Sequence, residues 1–261
     1  MLNLSELTDK VRALAIEAGD FIREERKKFH REAIEKKHAH DYVSYVDKES
    51  EKKIVTRLKE LLPEAGFIAE EGSGTLNDEQ YCWLVDPLDG TTNFIHDNAP
   101  YCVSIALRSK KELLLGVVYE ICRNECFWTY KGAPSYLNGN EIHVSAISNL
   151  DDSFIALGFP YATEEYKPMA NHLVNTLYGN VAGLRLMGAA AVELCYIAAG
   201  RFEARIEAFI GPWDIAAGTI ILQNAGGMIT DFKGGDSYSS GSQVLASNGR
   251  IHRDLLNICL L

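Results

Sequence analysis

Asp86 and Asp89 stand three residues apart in the segment Trp83-Leu84-Val85-Asp86-Pro87-Leu88-Asp89-Gly90-Thr91-Thr92-Asn93-Phe94. The short apolar run before them, Cys82 to Val85, predicts a buried strand bounded by a turn. Pro87 fixes φ between the two acids and has no N–H to donate, so a rigid change of direction is expected there. Asp89 is expected to cap a helical turn opened by Gly90 and Thr91, whose free N–H groups point outward. Carboxylate oxygens hold hard divalent cations, and a helix amino terminus attracts phosphate. Their proximity predicts one site for a metal and a phosphate together.

Other acids could complete such a site. Glu70 and Glu71 end the stretch Gly66-Phe67-Ile68-Ala69-Glu70-Glu71-Gly72, read as a short strand. They read equally as the polar mouth of a loop or as a further carboxylate beside Asp86 and Asp89. Asp214 is the one acid in Pro212-Trp213-Asp214-Ile215-Ala216-Ala217-Gly218. It serves either as the N-cap of a helix or as a buried acid that needs a partner or a metal. Several phosphate chemistries are excluded. There is no P-loop, and Gly72-x-Gly74 lacks the third glycine of a dinucleotide fingerprint. The spacing of Asp86, Asp89 and Gly90 does not fit an EF-hand. Pro87 occupies the position where a phosphoaspartate phosphatase would carry its nucleophile, and no Ser or Cys sits in a nucleophile elbow. Attack by water with metal assistance remains. Two cations about 3.5–4 Å apart can activate the water and stabilise the leaving oxygen. The acids at 70, 86, 89 and 214 could supply the ligands.

The 261 residues suffice for a substantial core, and a formal charge of −10 argues against general binding to nucleic acid or membrane surfaces. No apolar stretch reaches the length of a membrane span, and Met1 to Lys10 contain no secretory apolar region. A cytoplasmic enzyme is expected. The six cysteines, at 82, 102, 122, 126, 195 and 259, form no C-x-x-C pair and are read as buried reduced thiols.

The elements that must position these acids follow from periodicity. Leu7, Val11, Leu14, Ala18, Phe21 and Ile22 mark a helix within 4–29, and Ile54, Leu58 and Leu61 a second over about 47–62, with Asp47 as its N-cap. Glu35 to Asp41 is too polar for a core, and its His38-x-His40 pair lacks a third ligand nearby. Alternating stretches at 101–107, 113–119 and 125–130 predict an antiparallel meander, and Asn138-Gly139 a tight hairpin. From Ser153 strands alternate with helices: strands over 154–159, 181–186 and 202–206, the last carrying Glu207, and helices over 163–178, from 188 to Gly200, and 212–224. The expected division is an N-terminal α+β subdomain, 1–147, that carries the metal site, and a C-terminal α/β subdomain, 148–261, that completes it.

Four features coincide: Glu70-Glu71 after a strand; Asp86-Pro87-Leu88-Asp89-Gly90-Thr91-Thr92-Asn93-Phe94; Gly188-Ala189-Ala190; and Trp213-Asp214-x-Ala216-Ala217-Gly218 with Ala225-Gly226-Gly227. Together they resemble the inositol monophosphatase family of magnesium-dependent, lithium-sensitive phosphatases over nearly the whole chain. The resemblance implies a layered α-β-α-β-α sandwich of the sugar-phosphatase type, usually a homodimer, that binds two or three Mg2+ ions. By similarity Glu70, Asp86 and the Leu88 carbonyl would hold the first ion, Asp86, Asp89 and Asp214 the second, and Glu70 would help with a third. Asp47 and Thr91 would orient the attacking water, and the Gly90 and Thr91 N–H groups would cradle phosphate. Asp89, Gly188, Ala189, Ala190 and Glu207 would face the alcohol. Val46 and Ala189 stand where the family often has threonine or serine, and Gly211-Pro212 lies in a stretch that varies; none is a proposed metal ligand. The implied substrate is a myo-inositol monophosphate, a small phosphate ester, with no nucleic-acid or membrane partner. Fructose 1,6-bisphosphate, 3′-phosphoadenosine phosphate and NADP are alternatives on the same scaffold, and Thr92-Asn93-Phe94-Ile95-His96 favours inositol over 3′-phosphoadenosine nucleotides. A catalytically silent metal- or RNA-associated regulator is the alternative from another class, and the full set of acids counts against it.

Overall fold

Hydrophobic spacing alone divides the chain into layers. The computed structural model describes residues 2–30, 34–38, 41–74, 80–110, 112–159, 163–240 and 243–260, with the backbone alone described at 34–38, 41, 42 and 163. In chain order the first half contains α1 (Leu4–Arg26), β1 (Ile34–His38), β2 (Asp41–Ser44), α2 (Tyr45–Leu61), β3 (Gly66–Ala69), β4 (Tyr81–Asp89), α3 (Thr91–Ile95), β5 (Cys102–Ser109), β6 (Glu112–Glu120), β7 (Glu125–Tyr130), β8 (Ser135–Leu137) and β9 (Asn140–Ile142). The second half contains β10 (Phe154–Gly158), α4 (Thr163–Leu177), β11 (Gly183–Arg185), α5 (Ala190–Ala198), β12 (Ala204–Ala208), α6 (Pro212–Asn224), β13 (Met228–Thr230), β14 (Gln243–Ser247) and α7 (His252–Cys259).

Among the described residues, β3 to β9 form one sheet in sequence order, and a second sheet runs β11-β10-β12-β14-β13. A hairpin of β1 and β2 stands apart from both. The alternation along β4 shows how the layers arise. Trp83 and Val85 join the cluster under α1 and α2, while Leu84 joins a second cluster on the opposite face with α5 and α6. Likewise Ile155 and Leu157 of β10 pack with α4 and α7, and Ala156 between them packs inward with α5 and α6. The order is therefore α1/α2, sheet, α5/α6, sheet, α4/α7, the expected α-β-α-β-α sandwich. Helix α6 is apolar on almost every face because both sheets cover it. Gly116 on β6 makes its close approach possible. A Cβ there would stand 2.6 Å from Ile220 Cγ2 and 2.7 Å from the Ala217 carbonyl.

Several boundaries differ from the sequence reading. α2 begins two residues earlier than expected, because Ser44 and not Asp47 is its N-cap. Asp47 sits one turn in, and its Oδ2 accepts from the Ser44 N–H at 2.9 Å, the reciprocal half of a capping box. The Asn138-Gly139 hairpin is present, with Leu137 opposite Asn140 and both turn residues at positive φ. All six cysteines are free, although Cys122 is exposed and Cys82 only half-buried rather than buried. His40 lies outside the described residues, as does the His38 side chain. Among the described residues no helix is long and apolar enough to cross a membrane.

His252 joins α7 to the second sheet. Its Nε2 lies 3.0 Å from Thr230 Oγ1 and its Nδ1 2.8 Å from Ser247 Oγ. Burial lowers its pKa from 6.5 to about 4. Between these values the unfolded chain binds a proton that the folded chain does not, so stability is full above pH 6.5 and falls as pH drops towards 4. The contribution lost by pH 5 is about 2 kcal/mol. Urea unfolding of wild type and His252→Gln at pH 7.5 and pH 5 checks this: the stability difference between them should shrink by about that amount. A difference independent of pH would show that the imidazole titrates normally in the folded chain.

Candidate active site

The two acids that open the site share one face because β4 is irregular between them. Against β5, Asp86 pairs with Ser104 and Asp89 with Cys102, so three steps on β4 answer two on its neighbour. This is a bulge, the device that re-aims side chains at a sheet edge. Ser104 Oγ donates to the Trp213 carbonyl at 3.4 Å and Cys102 packs in the inner cluster, so this face looks towards α6. Leu88 turns the other way, into the core beneath α1 and α2. The sequence predicted a rigid turn at Pro87; the chain instead remains in β4 through Asp89. Gly90, at φ +91°, is the N-cap of α3. Asp89 caps a different helix from the one expected. Its carboxylate accepts from the N–H groups of Ala190 at 3.1 Å and Ala191 at 2.8 Å, at the start of α5.

Three more elements converge there. Strand β3 runs parallel to β4, with Ala69 beside Val85, so Glu70 emerges at the same edge as Asp86. Buried Glu51 of α2 secures this turn by accepting from the N–H groups of Glu71 at 2.7 Å and Ser73 at 2.9 Å. Asp214 lies in the first turn of α6, where its Oδ2 accepts from Gly211 N–H at 2.8 Å without being the N-cap. The Thr91 hydroxyl lies 2.8 Å from Asp47 Oδ1 and 3.1 Å from the Leu88 carbonyl. Of the residues expected at the site, Glu70, Asp86, Leu88, Asp89, Gly90, Thr91, Gly188, Ala190, Glu207 and Asp214 line one cavity of about 620 Å³. Asp47 stands behind Thr91 and reaches the cavity through it. Ala189 is buried beside Gly90 and does not line the cavity.

The electrostatics bear on what this cavity could hold. Burial, and then repulsion from Glu70, Asp89 and Asp214, raises the Asp86 pKa well above the carboxylate range. Asp214 is raised well above it by burial and then by repulsion from Glu70 and Asp89, only partly offset by Gly211 N–H and by its neighbour Asp86. Asp89 is pushed up to about 6 by burial, against the opposing effects of the α5 N–H groups and Arg205. Two adjacent carboxyls must share a proton or a cation. Among the described residues no three acids, histidines or cysteines are drawn together closely enough to hold an ion; the four acids border one open cavity. Their chemistry fits a hard divalent cation: four mutually repelling oxygen donors, Asp86 and Asp89 buried and Glu70 and Asp214 partly so, on one side of the cavity.

On the far side of the cavity Glu207 contacts Arg205, whose Nε donates to Glu193 Oε2 at 2.7 Å. Glu193 Oε1 in turn accepts from Gly188 N–H at 3.1 Å. Asn93 ties α3 to the same loop, donating to the carbonyls of Pro100 and Met187, each at 2.7 Å. Sequence reasoning did not select Arg205, Glu193, Glu51 or Asn93. Their signal is slight, although a charged residue alternating with small and apolar ones in Ala204-Arg205-Ile206-Glu207-Ala208 marks a strand face turned towards a polar space.

Comparison with known proteins accords with this geometry. The sequence model of the inositol monophosphatase family matches residues 3–259. A protein of Pasteurella multocida named Nus factor SuhB is 39% identical over 223 residues, spanning 85% of this chain and 83% of that one. Extragenic suppressor protein suhB from Bartonella henselae superposes with a TM-score of 0.90 at 32% identity, over 97% of each chain. An inositol monophosphatase from Anabaena gives 0.86 at 31%, over 98% of this chain and 96% of its own.

The Glu51 clamp has a measurable consequence. Glu51→Ala leaves two N–H groups without their carboxylate, and amide exchange at Glu71 and Ser73 should quicken at least tenfold, for a loss of about 1–3 kcal/mol in local stability. Unchanged exchange at both positions would show that the turn carrying Glu70 is held by other contacts.

Proposed function

Because the chain belongs to the inositol monophosphatase family, we propose that it is a magnesium-dependent phosphomonoesterase that hydrolyses myo-inositol monophosphate to inositol and phosphate. The observation that carries this reading is one cavity bordered by Glu70, Asp86, Asp89 and Asp214 on one side and by Glu207 on the other. Glu70, Asp86, the Leu88 carbonyl, Asp89 and Asp214 would hold the ions. When bound, such ions supply a more acidic water and positive charge to stabilise the leaving oxygen.

The chain's own residues do the rest. The Thr91 hydroxyl can accept a hydrogen bond from the attacking water while donating to Asp47 Oδ1. Burial raises the Asp47 pKa, which suits it to take up the proton through Thr91 as the water oxygen bonds to phosphorus. The ester P–O bond breaks opposite, the leaving alkoxide takes its proton from solvent water in the cavity, and Asp47 returns the proton it took up to solvent. The N–H groups of Gly90 and Thr91, at the start of α3, are suited to cradle the phosphoryl oxygens. Glu207 accepts from a hydroxyl of the alcohol, and the 188–190 loop closes its other side. Fructose 1,6-bisphosphate, 3′-phosphoadenosine phosphate and NADP belong to the same chemistry with a different alcohol.

A second reading rests on the name Nus factor SuhB, carried by a relative at 39% identity. On it the chain serves as a factor in a larger assembly, and nucleic acid is then a candidate partner despite the charge of −10. Phosphate release from inositol 1-phosphate and the three alternatives, with and without magnesium, separates the readings. The first expects magnesium-dependent release with inositol 1-phosphate preferred. Asp86→Asn should lower kcat at least 100-fold with the fold retained, since it removes a charge that neighbours three other acids. Turnover by the variant near the wild-type rate would refute the metal assignment, and no release from any of the four substrates would favour the second reading.

A further inference from the structure

Arg205 is the one guanidinium among the described residues that line the cavity, and it is 2% exposed. Its strand provides the space it occupies. On β12, Ala204, Ile206 and Ala208 pack into the outer cluster, while Arg205 and Glu207 alternate onto the inner face. There Arg205 is flanked by Ala156 of β10 and Ala246 of β14, the smallest side chains that still pack. Glu207 is flanked by Gly158, where a Cβ would stand 2.3 Å from the carboxyl carbon.

The guanidinium binds two acids from different layers. Nε donates to Glu193 of α5 at 2.7 Å, and Nη2 contacts Glu207 of its own strand. Glu193 passes the restraint to Gly188 N–H. Nη1 is buried with no hydrogen-bond partner, so the nitrogens that carry the restraint are Nε and Nη2. Burying a cation between two acids is costly compared with apolar packing, and such arrangements persist where they fix a geometry.

We propose that Arg205 is the specificity-determining positioning residue of the alcohol pocket: it holds Glu207 as a hydroxyl acceptor, fixes the Gly188 backbone through Glu193, and suits the cavity to phosphate esters of polyols with neighbouring hydroxyls. This rests on the phosphomonoesterase reading. The planar fork matters as much as the charge, because a lysine is a single point that cannot span Glu193 and Glu207.

The test compares wild type, Arg205→Lys and the double variant Glu193→Gln/Arg205→Gln, which removes a buried charge together with its partner. Each is assayed with magnesium on inositol 1-phosphate and on p-nitrophenyl phosphate, whose alcohol carries no further hydroxyl. For both variants the loss in kcat/KM should be at least tenfold greater on inositol 1-phosphate, chiefly through KM, with thermal midpoints recorded alongside. Equal losses on the two esters, or a wild-type ratio restored by lysine, would reduce Arg205 to a structural ion pair and overturn the proposal. If wild type releases phosphate from neither ester, the underlying reading fails, and the role of Arg205 fails with it.

Discussion

Mutual repulsion among buried and half-buried carboxylates is the constraint on which this structure turns. Glu70, Asp86, Asp89, Glu193, Glu207 and Asp214 all border the cavity. Taking even one such charge out of water costs several kcal/mol after relaxation, so each must be individually restrained. Asp89 is neutralised in part by two N–H groups of α5, and Glu193 and Glu207 by Arg205. Asp86 has the Leu88 N–H and Asp214 the Gly211 N–H, each a weak offset against the repulsion that remains. The fold therefore stores unfavourable charge at one end of the cavity and balances it at the other. On the proposed reading a divalent ion would complement the first end and a neutral polyol the second.

That arrangement demands rigid delivery from distant parts of the chain. The bulge in β4 turns both its acids to one face, the parallel neighbour β3 brings Glu70 to the same edge, and α6 brings Asp214 from between the sheets. Helix α6 is apolar all round for the same reason: a helix that must present one acid at a fixed point is held best with a sheet on either side. Gly116 on the sheet surface allows the approach, and Ser104, which donates to the Trp213 carbonyl, sets the end of the helix against β5, where Ser104 is paired with Asp86 of β4.

Much of this was legible in the residues. The layers followed from periodicity, because each face of each sheet buries an apolar set that alternates with another. Glu70, Asp86, Asp89 and Asp214 were legible because types and spacing bear directly on chemistry; Glu207 came only with the family resemblance, and Glu193 was not legible. Capping was misread twice for one physical cause. Asp47 and Asp89 were taken as the N-cap of the helix they precede or begin, since an acid before an apolar run favours that role locally, and for Asp214 the same role was one of two readings. In the fold Ser44, Gly90 and Gly211 take those positions, and the acids are used for contacts over longer range or one turn in. Arg205 and Glu51 were not legible, because their roles depend on which strand and which turn lie beside them. The three-residue strand β13 is too short for alternation to register.

The bond from the α5 N–H groups to Asp89 spans 101 and 102 residues of chain. During synthesis from the amino terminus, β4 with its bulge and its two acids is complete long before residue 191 exists. Until then Asp89 lacks the donors that offset its burial, and Asp86 lacks Asp214. The acidic end of the cavity is thus absent from the growing chain as a functional unit, even when the first sheet has formed. A partly made chain presents loose surface carboxylates, and only closure of the last layers converts them into a selective site.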